Sequence, residues 1–380
     1  MRAIYDYILN TSIMDNFVVS ARKYRPATFA TVVGQQHITR TLKNAILSGQ
    51  LPQAFLFCGP RGVGKTTCAR ILAKTINCEH RTPDGEACNQ CDSCRSFNDN
   101  ASINIFELDA ASNNGVDQMR ELTRQVLIPP QGGKYKVYII DEVHMLSAAA
   151  FNAFLKTLEE PPAYAKFILA TTEKHKIIPT ILSRCQVFDF KRIETADIAA
   201  HLKYVASSEG VQHDDDALDI IATKADGGLR DALSIFDQLV NFTQGHLTRQ
   251  AVLENLNVLD TDYYFRLLDH VRASSLSGAL LLYHEVLTKG FGGQQFLTGL
   301  CEHLRNLLVS LDPQTLPLIE GSDTLRSRYG QQAQQCSLPL LLKCLNIASD
   351  FEYRFREATN KNLFVEVCLT KMATATMAES

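Results

Sequence analysis

The hydrophobic rhythm of the chain changes once, near residue 194. Before that point, short apolar runs alternate with amphipathic stretches. Ala54–Cys58, Asn104–Asp109, Lys136–Glu142, Lys166–Thr172 and Val187–Phe190 read as strands, and the unbroken first run reads as a buried parallel one. Between them, apolar residues recur at helical spacing: Leu42, Ala45 and Ile46; Ala69, Leu72, Ala73 and Ile76; Met119, Leu122 and Val126; Phe151, Phe154, Leu155 and Leu158. Pro129-Pro130 and Pro161-Pro162 stop two of these helices, and Ser147 can cap one. Five strands with intervening helices predict a three-layer α/β domain with a five-stranded parallel sheet over 18–193.

After Glu194 only the helical period remains. Ile198, Leu202 and Val205 line one helix; Asp214 can cap a second carrying Leu218, Ile221 and Ala222. Leu229–Asp237 is a third, and Thr248 can cap a fourth over Val252–Leu256, which predicts a small helical domain over 194–258. Longer helices follow over Phe265–Val271, Leu280–Leu287, Phe296–Ser310, Leu338–Ile347 and Asp350–Met372. Pro313, Pro317 and Gly321 mark a loop with short helices between them. The expectation is an all-α domain over 259–375, a tail at 376–380 and an N-terminal extension at 1–17, with Met14 an alternative start to Met1.

Chemistry clusters at the ends of the strands. Gly59-Pro60-Arg61-Gly62-Val63-Gly64-Lys65-Thr66-Thr67 follows the first strand and opens a helix. G-x-x-x-x-G-K-T in that setting is a phosphate-cradling loop: backbone N–H groups surround phosphate oxygens, Lys65 reaches the β- and γ-phosphates, and the Thr66 hydroxyl ligates Mg²⁺. A glycine-rich turn is the bland reading, and the correct flanks weigh against it. The third strand ends in Asp141-Glu142, the Walker B pattern, with Asp141 on Mg²⁺ and Glu142 as general base for the attacking water. The alternative, solvated acids at a strand end, loses weight with a P-loop upstream. The fourth strand ends in Thr171-Thr172, and ligands of open α/β sheets sit at such carboxyl ends.

Cys78, Cys88, Cys91 and Cys94 form a second cluster just beyond the P-loop helix. Their spacing suits a tetrahedral Cys₄ zinc insert over 78–94, structural because four protein ligands leave no open position. Iron–sulfur is the rival, but the C-x₂-C-x₂-C run lacks the C-x₃-C-P continuation.

Composition narrows the setting. A chain of 380 residues, 46% hydrophobic and 21% charged, fits two or three ordinary domains. A formal charge of −3 argues against a wholesale basic coat. The first residues lack a secretory pattern and no 18-residue apolar run exists, so no membrane role is expected. Eleven cysteines without a secretion signal fit reduced thiols and metal ligands in a cytoplasmic protein.

Taken together, the motifs resemble the γ/τ family of bacterial DNA polymerase III, the AAA+ ATPases of the sliding-clamp loader. Ala21–Pro26, Gly59–Thr67, the four cysteines, Asp141–Leu146, Leu155–Pro162, Ala170–Thr172, Ser183-Arg184-Cys185 and Gly228–Ser234 carry the resemblance. It covers about Val18–Leu239 closely, and the last third more loosely as a helical collar. It implies an AAA+ domain with a zinc insert, a helical lid and an oligomerising collar. It also implies Thr172 as sensor 1, Arg230 as sensor 2 on the γ-phosphate, and Arg184 as an arginine finger offered to a neighbouring subunit's ATP. Arg25, Pro26 and Val33 would line the adenine pocket. Without the family, Arg184 would read as a surface ion-pair partner.

The resemblance further implies ATP, Mg²⁺ and structural Zn²⁺. The implied partners are other clamp-loader subunits in a pentamer, the sliding clamp and primer-template DNA at the replisome. Polymerase and helicase contacts belong to a longer τ-type C-terminus. The chain shows no polymerase active site: its paired acids are accounted for by Walker B. Three other readings rank lower. A non-hydrolysing structural subunit is opposed by intact Lys65, Thr66, Asp141 and Glu142. A zinc-dependent nucleic-acid module is opposed by the sparse Arg81 and Arg95 around the cysteines. A helicase or initiator would be expected to add a DNA-reading domain at the C-terminus.

Overall fold

The structure is a computed structural model, and it describes residues 18–319, 321 and 323–375. The expected extension at 1–17 and tail at 376–380 lie outside the described residues. The chain divides into two compact units. One comprises the residues up to Glu209 together with Lys224–Gln238; the other comprises Gly210–Thr223 and the residues from Leu239 onward.

The first unit begins with α1 (Ser20–Lys23), a turn at Phe29–Thr31 and α2 (Gln36–Ser48). Then come β1 (Ala54–Cys58), α3 (Lys65–Asn77), α4 (Asp92–Asn98), β2 (Ile105–Asp109), α5 (Val116–Val126) and β3 (Lys136–Asp141). They are followed by α6 (Ala148–Glu159), β4 (Ala165–Thr171), α7 (Pro179–Leu182), β5 (Gln186–Asp189) and α8 (Thr195–Glu209). The strands pair in the order β2-β3-β4-β1-β5, every pair parallel. Alternate residues leave a strand on opposite faces, so each central strand feeds two cores. Phe55 and Phe57 of β1, Val137 and Ile139 of β3 and Ile168 and Ala170 of β4 share one core with α2 and α3. Leu56, Tyr138, Ile140, Phe167 and Leu169 share the other with α5 and α6. All of these side chains are buried, and each Val, Leu, Ile and Phe among them is worth roughly 1.5–3 kcal/mol withdrawn from water. This two-sided anchoring fixes the carboxyl ends of β1, β3 and β4, where the site is built.

Short β6 (Gln212–His213) and α9 (Asp215–Lys224) follow, then α10 (Leu229–Phe242), β7 (His246–Leu247) and α11 (Arg249–Asn255). In the second unit β6 and β7 form a two-residue parallel bridge that the helical period does not announce. There Thr248 caps α11 by accepting from the Ala251 N–H, and the Asp214 carboxylate accepts from the Arg249 N–H at 2.9 Å. Asp214 also stands immediately before α9, the helix that the sequence reading has it cap.

The rest of that unit is α12 (Thr261–Arg272), α13 (Leu276–Thr288), α14 (Gly293–Val309), a turn at Pro313–Leu318, α15 (Asp323–Ala333), α16 (Leu338–Arg354) and α17 (Lys361–Ala375). One continuous core, from Leu259 to Met372, holds these helices together. The last two helices differ from expectation. No break occurs near Asp350: α16 runs on to Arg354 because Phe351 and Phe355 both enter the core. The break falls at 355–360, and the Asn360 side chain accepts from the Leu363 N–H to start α17. No helix among the described residues is long and apolar enough to cross a membrane.

Candidate active site

Three strand ends meet at one place. At the end of β1, Gly59 takes φ 149°, and a Cβ there would stand 2.4 Å from the Phe190 carbonyl oxygen. Only glycine fits, because the chain leaving β5 presses against it. Lys65, the first residue of α3, is buried, and its Nζ donates to the carbonyls of Gly59 at 2.8 Å and Pro60 at 2.6 Å. Burial pushes its pKa down, while Glu142 and Asp141 push the other way. The P-loop, Gly59 to Thr67, therefore closes around its own lysine beside two carboxylates.

The end of β3 faces it. The Thr66 hydroxyl donates to Asp141 Oδ2 at 2.6 Å, and Asp141 Oδ1 accepts the Glu142 N–H at 3.0 Å. A hydroxyl and a carboxylate converging from two elements is the hard-oxygen pair that suits Mg²⁺. Glu142 sits at φ 48°, a left-handed backbone unusual for a non-glycine residue. Its Oε2 accepts from the Thr172 N–H at 3.2 Å and the Thr172 hydroxyl at 3.0 Å. His144 Nδ1 lies 3.4 Å from the same oxygen and 3.1 Å from Thr171 Oγ1. Thr172 and Glu142 are thus held together, and His144 is a neighbour that the sequence reading missed.

Two further segments back the loop. The Gly227-Gly228 turn lies against it: a Cβ on Gly62 would meet the Gly228 Cα at 3.1 Å. The Arg230 N–H points at the Gly62 carbonyl at 3.4 Å, which sets exposed Arg230 at the start of α10 beside the P-loop. On the other side, Arg25 Nε donates to the Thr67 hydroxyl at 3.3 Å. Phe29 and Val32 are buried in the core behind the loop, whereas Pro26 and Val33 are half-exposed.

Arg184 is engaged elsewhere. It follows α7 and donates to the Thr180 carbonyl at 2.7 Å and to Glu159 Oε1 at 2.8 Å. Its side chain keeps 34% of its exposure.

The four cysteines come together as their spacing predicts. The sulfurs of Cys78, Cys88, Cys91 and Cys94 lie within 4.8 Å of one another, and all four are free thiols. The Cys88 N–H donates to the Cys78 sulfur at 3.2 Å, and the Gln90 and Cys91 N–H groups donate to the Cys88 sulfur at 3.4 and 3.3 Å. The last two hold the Cys88 pKa down to about 6, favouring the thiolate that a metal needs. Four such sulfurs could bind zinc. Lys74 of α3 is 3% exposed and donates to Asn89 Oδ1 at 2.6 Å within this insert. Burial lowers its pKa and the Cys94 sulfur opposes that, so a buried lysine stands beside the cysteine cluster. Glu86, between Cys78 and Cys88, also carries contacts the sequence reading missed: it accepts from the Phe29 and Ala30 N–H groups. No spacing rule finds it, because its partners lie more than fifty residues away.

Comparison with known proteins adds the lineage. The family described as "DNA polymerase III, delta subunit" matches residues 34–194. The family described as "DNA polymerase III clamp loader subunit, ATPase lid domain" matches 197–245. DNA polymerase III subunit tau of Bacillus subtilis is 40% identical over 354 residues, 92% of this chain and 62% of its own length. DNA polymerase III subunit tau of Escherichia coli is 41% identical over 317 residues, 82% of this chain and 49% of its own. The chain thus spans about half to three-fifths of the length of these tau relatives. DNA polymerase III subunit gamma of Buchnera aphidicola is 34% identical over 363 residues, 95% of this chain and 99% of its own. With a relative matched from end to end at that identity, the chain belongs to the gamma/tau subunit family of DNA polymerase III.

Proposed function

We propose that the chain is an ATPase motor subunit of a clamp loader, binding and hydrolysing ATP to open a sliding clamp and load it onto primed DNA. The observation that carries this is the convergence of buried Lys65, the Thr66–Asp141 pair and the Thr172–Glu142 pair at adjoining strand ends. A phosphate needs cradling N–H groups and a cation; hydrolysis needs a base beside them.

In this reading, Gly59 to Thr67 hold the ATP phosphates, and Lys65 exchanges its carbonyl partners for the β- and γ-phosphates. Thr66 and Asp141 would hold Mg²⁺, which neutralises phosphate charge when bound. Glu142 takes a proton from the attacking water, and Thr172 fixes the orientation of its carboxylate. Arg230 reports the γ-phosphate from the same chain. Arg25, Pro26 and Val33 flank the adenine. Arg184 leaves Glu159 and meets the ATP of a neighbouring subunit, where such a finger is worth roughly 10³–10⁵ in rate. The four cysteines hold a structural zinc. Loss of the γ-phosphate removes the contacts of Lys65, Arg230 and the trans Arg184 together, so hydrolysis releases clamp and DNA.

The organisation proposed with it is an ATPase domain over 18–193 with its insert at 78–94, a lid over 194–258 and a collar over 259–375. The lid-domain match at 197–245 and the hydrophobic core starting at Leu259 support that partition. The partners are other clamp-loader subunits, forming with this chain a ring-like pentamer, together with the clamp and primer-template DNA. The setting is cytoplasmic, at the replisome. The test is ATP turnover with clamp and primed DNA by wild type, Lys65→Ala and Arg184→Ala. Wild type turns over, Lys65→Ala fails to bind ATP, and Arg184→Ala binds ATP without turning it over. A wild-type chain that binds ATP but never hydrolyses it in the assembly would make this a structural subunit.

A further inference from the structure

We infer that Glu86 is a positioning residue for the nucleotide site, clamping the segment that carries Arg25 from within the cysteine insert. The inference rests on the ATP-binding reading above and goes beyond it, because it gives the insert a task at the nucleotide.

Glu86 sits at the base of a tight turn between Cys78 and Cys88. The Gly85 N–H donates to the Thr82 carbonyl at 3.0 Å, the Thr82 N–H to the Glu86 carbonyl at 3.0 Å, and the Glu86 N–H to the Thr82 hydroxyl at 3.1 Å. The turn thus presents one carboxylate, 12% exposed, to the lead-in segment. Its Oε2 accepts the Phe29 N–H at 3.0 Å; its Oε1 accepts the Ala30 N–H at 3.0 Å and Lys43 Nζ at 2.8 Å. Phe29 and Ala30 open a short turn, so their N–H groups have no partner within it. A carboxylate with two acceptor oxygens satisfies both; an amide has one acceptor and would turn its NH₂ toward a donor.

The clamped segment is tied to the P-loop at one end and to the chain leaving β5 at the other. Phe29 is buried in the same core as Val63, Cys68 and Ile71, residues of the P-loop and of α3. Four residues earlier, Arg25 reaches the Thr67 hydroxyl of α3 at 3.3 Å. Desolvation and the like charges of Arg70 and Arg230 lower the Arg25 pKa, and Asp141 raises it, so this guanidinium shares the field of the nucleotide site. Further on, Gln35 Nε2 donates to the Lys191 carbonyl at 2.7 Å, in the chain leaving β5. Arg25 is therefore placed by a lead-in pinned at Glu86 and Gln35. Glu86 is in turn placed by a turn whose ends run into Cys78 and Cys88. Integrity of the cysteine cluster sets where Arg25 stands.

The experiment measures binding of a fluorescent ATP analogue, with Mg²⁺, and zinc content, on the full chain. Wild type, Glu86→Gln and Lys65→Ala are compared, each as purified and after chelation under reducing conditions. Glu86→Gln is expected to weaken analogue binding about tenfold, the scale of losing charge-assisted hydrogen bonds, with zinc content equal to wild type. Turnover at saturating ATP stays as in wild type, so KM moves and kcat does not. Chelation weakens wild type by a similar factor and leaves Glu86→Gln unchanged, since its clamp is already lost. Wild-type affinity in Glu86→Gln, or an equal further loss on chelation in both proteins, overturns the inference while Lys65→Ala still marks the ATP site. Loss of zinc from Glu86→Gln also overturns it, by making Glu86 part of the insert's own fold. If wild type itself fails to bind the analogue, the ATP reading falls and the inference with it.

Discussion

At the scale of single residues, the site divides into groups that the sequence names and groups that only folding brings near. Lys65, Thr66, Asp141 and Glu142 are legible because each stands at a fixed offset from a strand end, and parallel register does the rest. His144, Glu86 and Lys74 are not, because their partners come from other elements and no local pattern requires them. The division bears on how Glu142 works. Its Oε2 is held by both donors of Thr172, which gives the carboxylate one orientation at little entropic cost. Removing the acid and removing its orienter therefore have different sizes. Glu142→Gln is expected to keep ATP binding and lose about 10²–10⁴ in turnover, the range for a positioned general base. Thr172→Val keeps the N–H donor and loses the hydroxyl, so its turnover should fall by only about tenfold, one ordinary hydrogen bond. Single-turnover hydrolysis with separately measured ATP affinity checks both; equal losses would show that Thr172 does more than orient Glu142.

At the scale of elements, two predictions separate metal from packing. The insert over 78–94 buries Cys78, Cys91 and Cys94 with little apolar neighbourhood beyond Ala87, so it lacks a core of its own. Binding energy at the four sulfurs should replace that core. About one zinc per chain is expected by elemental analysis, and Cys91→Ser should lose it along with several degrees of melting temperature. Full metal-free stability would refute the structural role. The helical unit needs no such staple, but its core encloses His303, 1% exposed, with Nδ1 3.2 Å from the Tyr329 hydroxyl and Nε2 3.3 Å from Gln332 Oε1. Burial lowers its pKa to about 3. The folded protein thus keeps this imidazole neutral where the unfolded chain, near 6.5, takes a proton. Between those values the unfolded state binds more protons, so stability is full above about pH 6.5 and falls as pH drops toward 3. His303→Gln should flatten that acid loss in denaturant melts between pH 7.5 and 5. Helical periodicity locates α14, but it cannot distinguish a histidine on the buried stripe from one at its rim. It also misplaces the α16–α17 break, because Phe351 and Phe355 extend the apolar stripe past Asp350.

At the scale of the whole molecule, the decisive residue is Arg184, whose proposed role as a finger depends on a second chain. Within its own chain it pairs with Glu159 across a half-exposed contact. Such a pair contributes about 0–1 kcal/mol, because water screens it and two long side chains must be ordered. That is a weak hold compared with the roughly 4–7 kcal/mol implied by a 10³–10⁵ rate effect of a finger at the transition state. Release from Glu159 on assembly is therefore cheap, and Glu159→Gln should leave assembled turnover within about twofold of wild type. The proposed trans placement has its own consequence. Lys65→Ala lacks a working P-loop but keeps a finger; Arg184→Ala lacks the finger but keeps a P-loop. Each alone, reconstituted with the other subunits, clamp and primed DNA, should be nearly inactive. Mixed before reconstitution, they place an intact Arg184 beside an intact Lys65 at a fraction of interfaces, and turnover should recover to a measurable share of wild type. A finger acting within its own chain gives no such recovery, because neither variant carries both residues. Absence of activity in the mixture, with both variants shown to co-assemble, would remove Arg184 from the trans site.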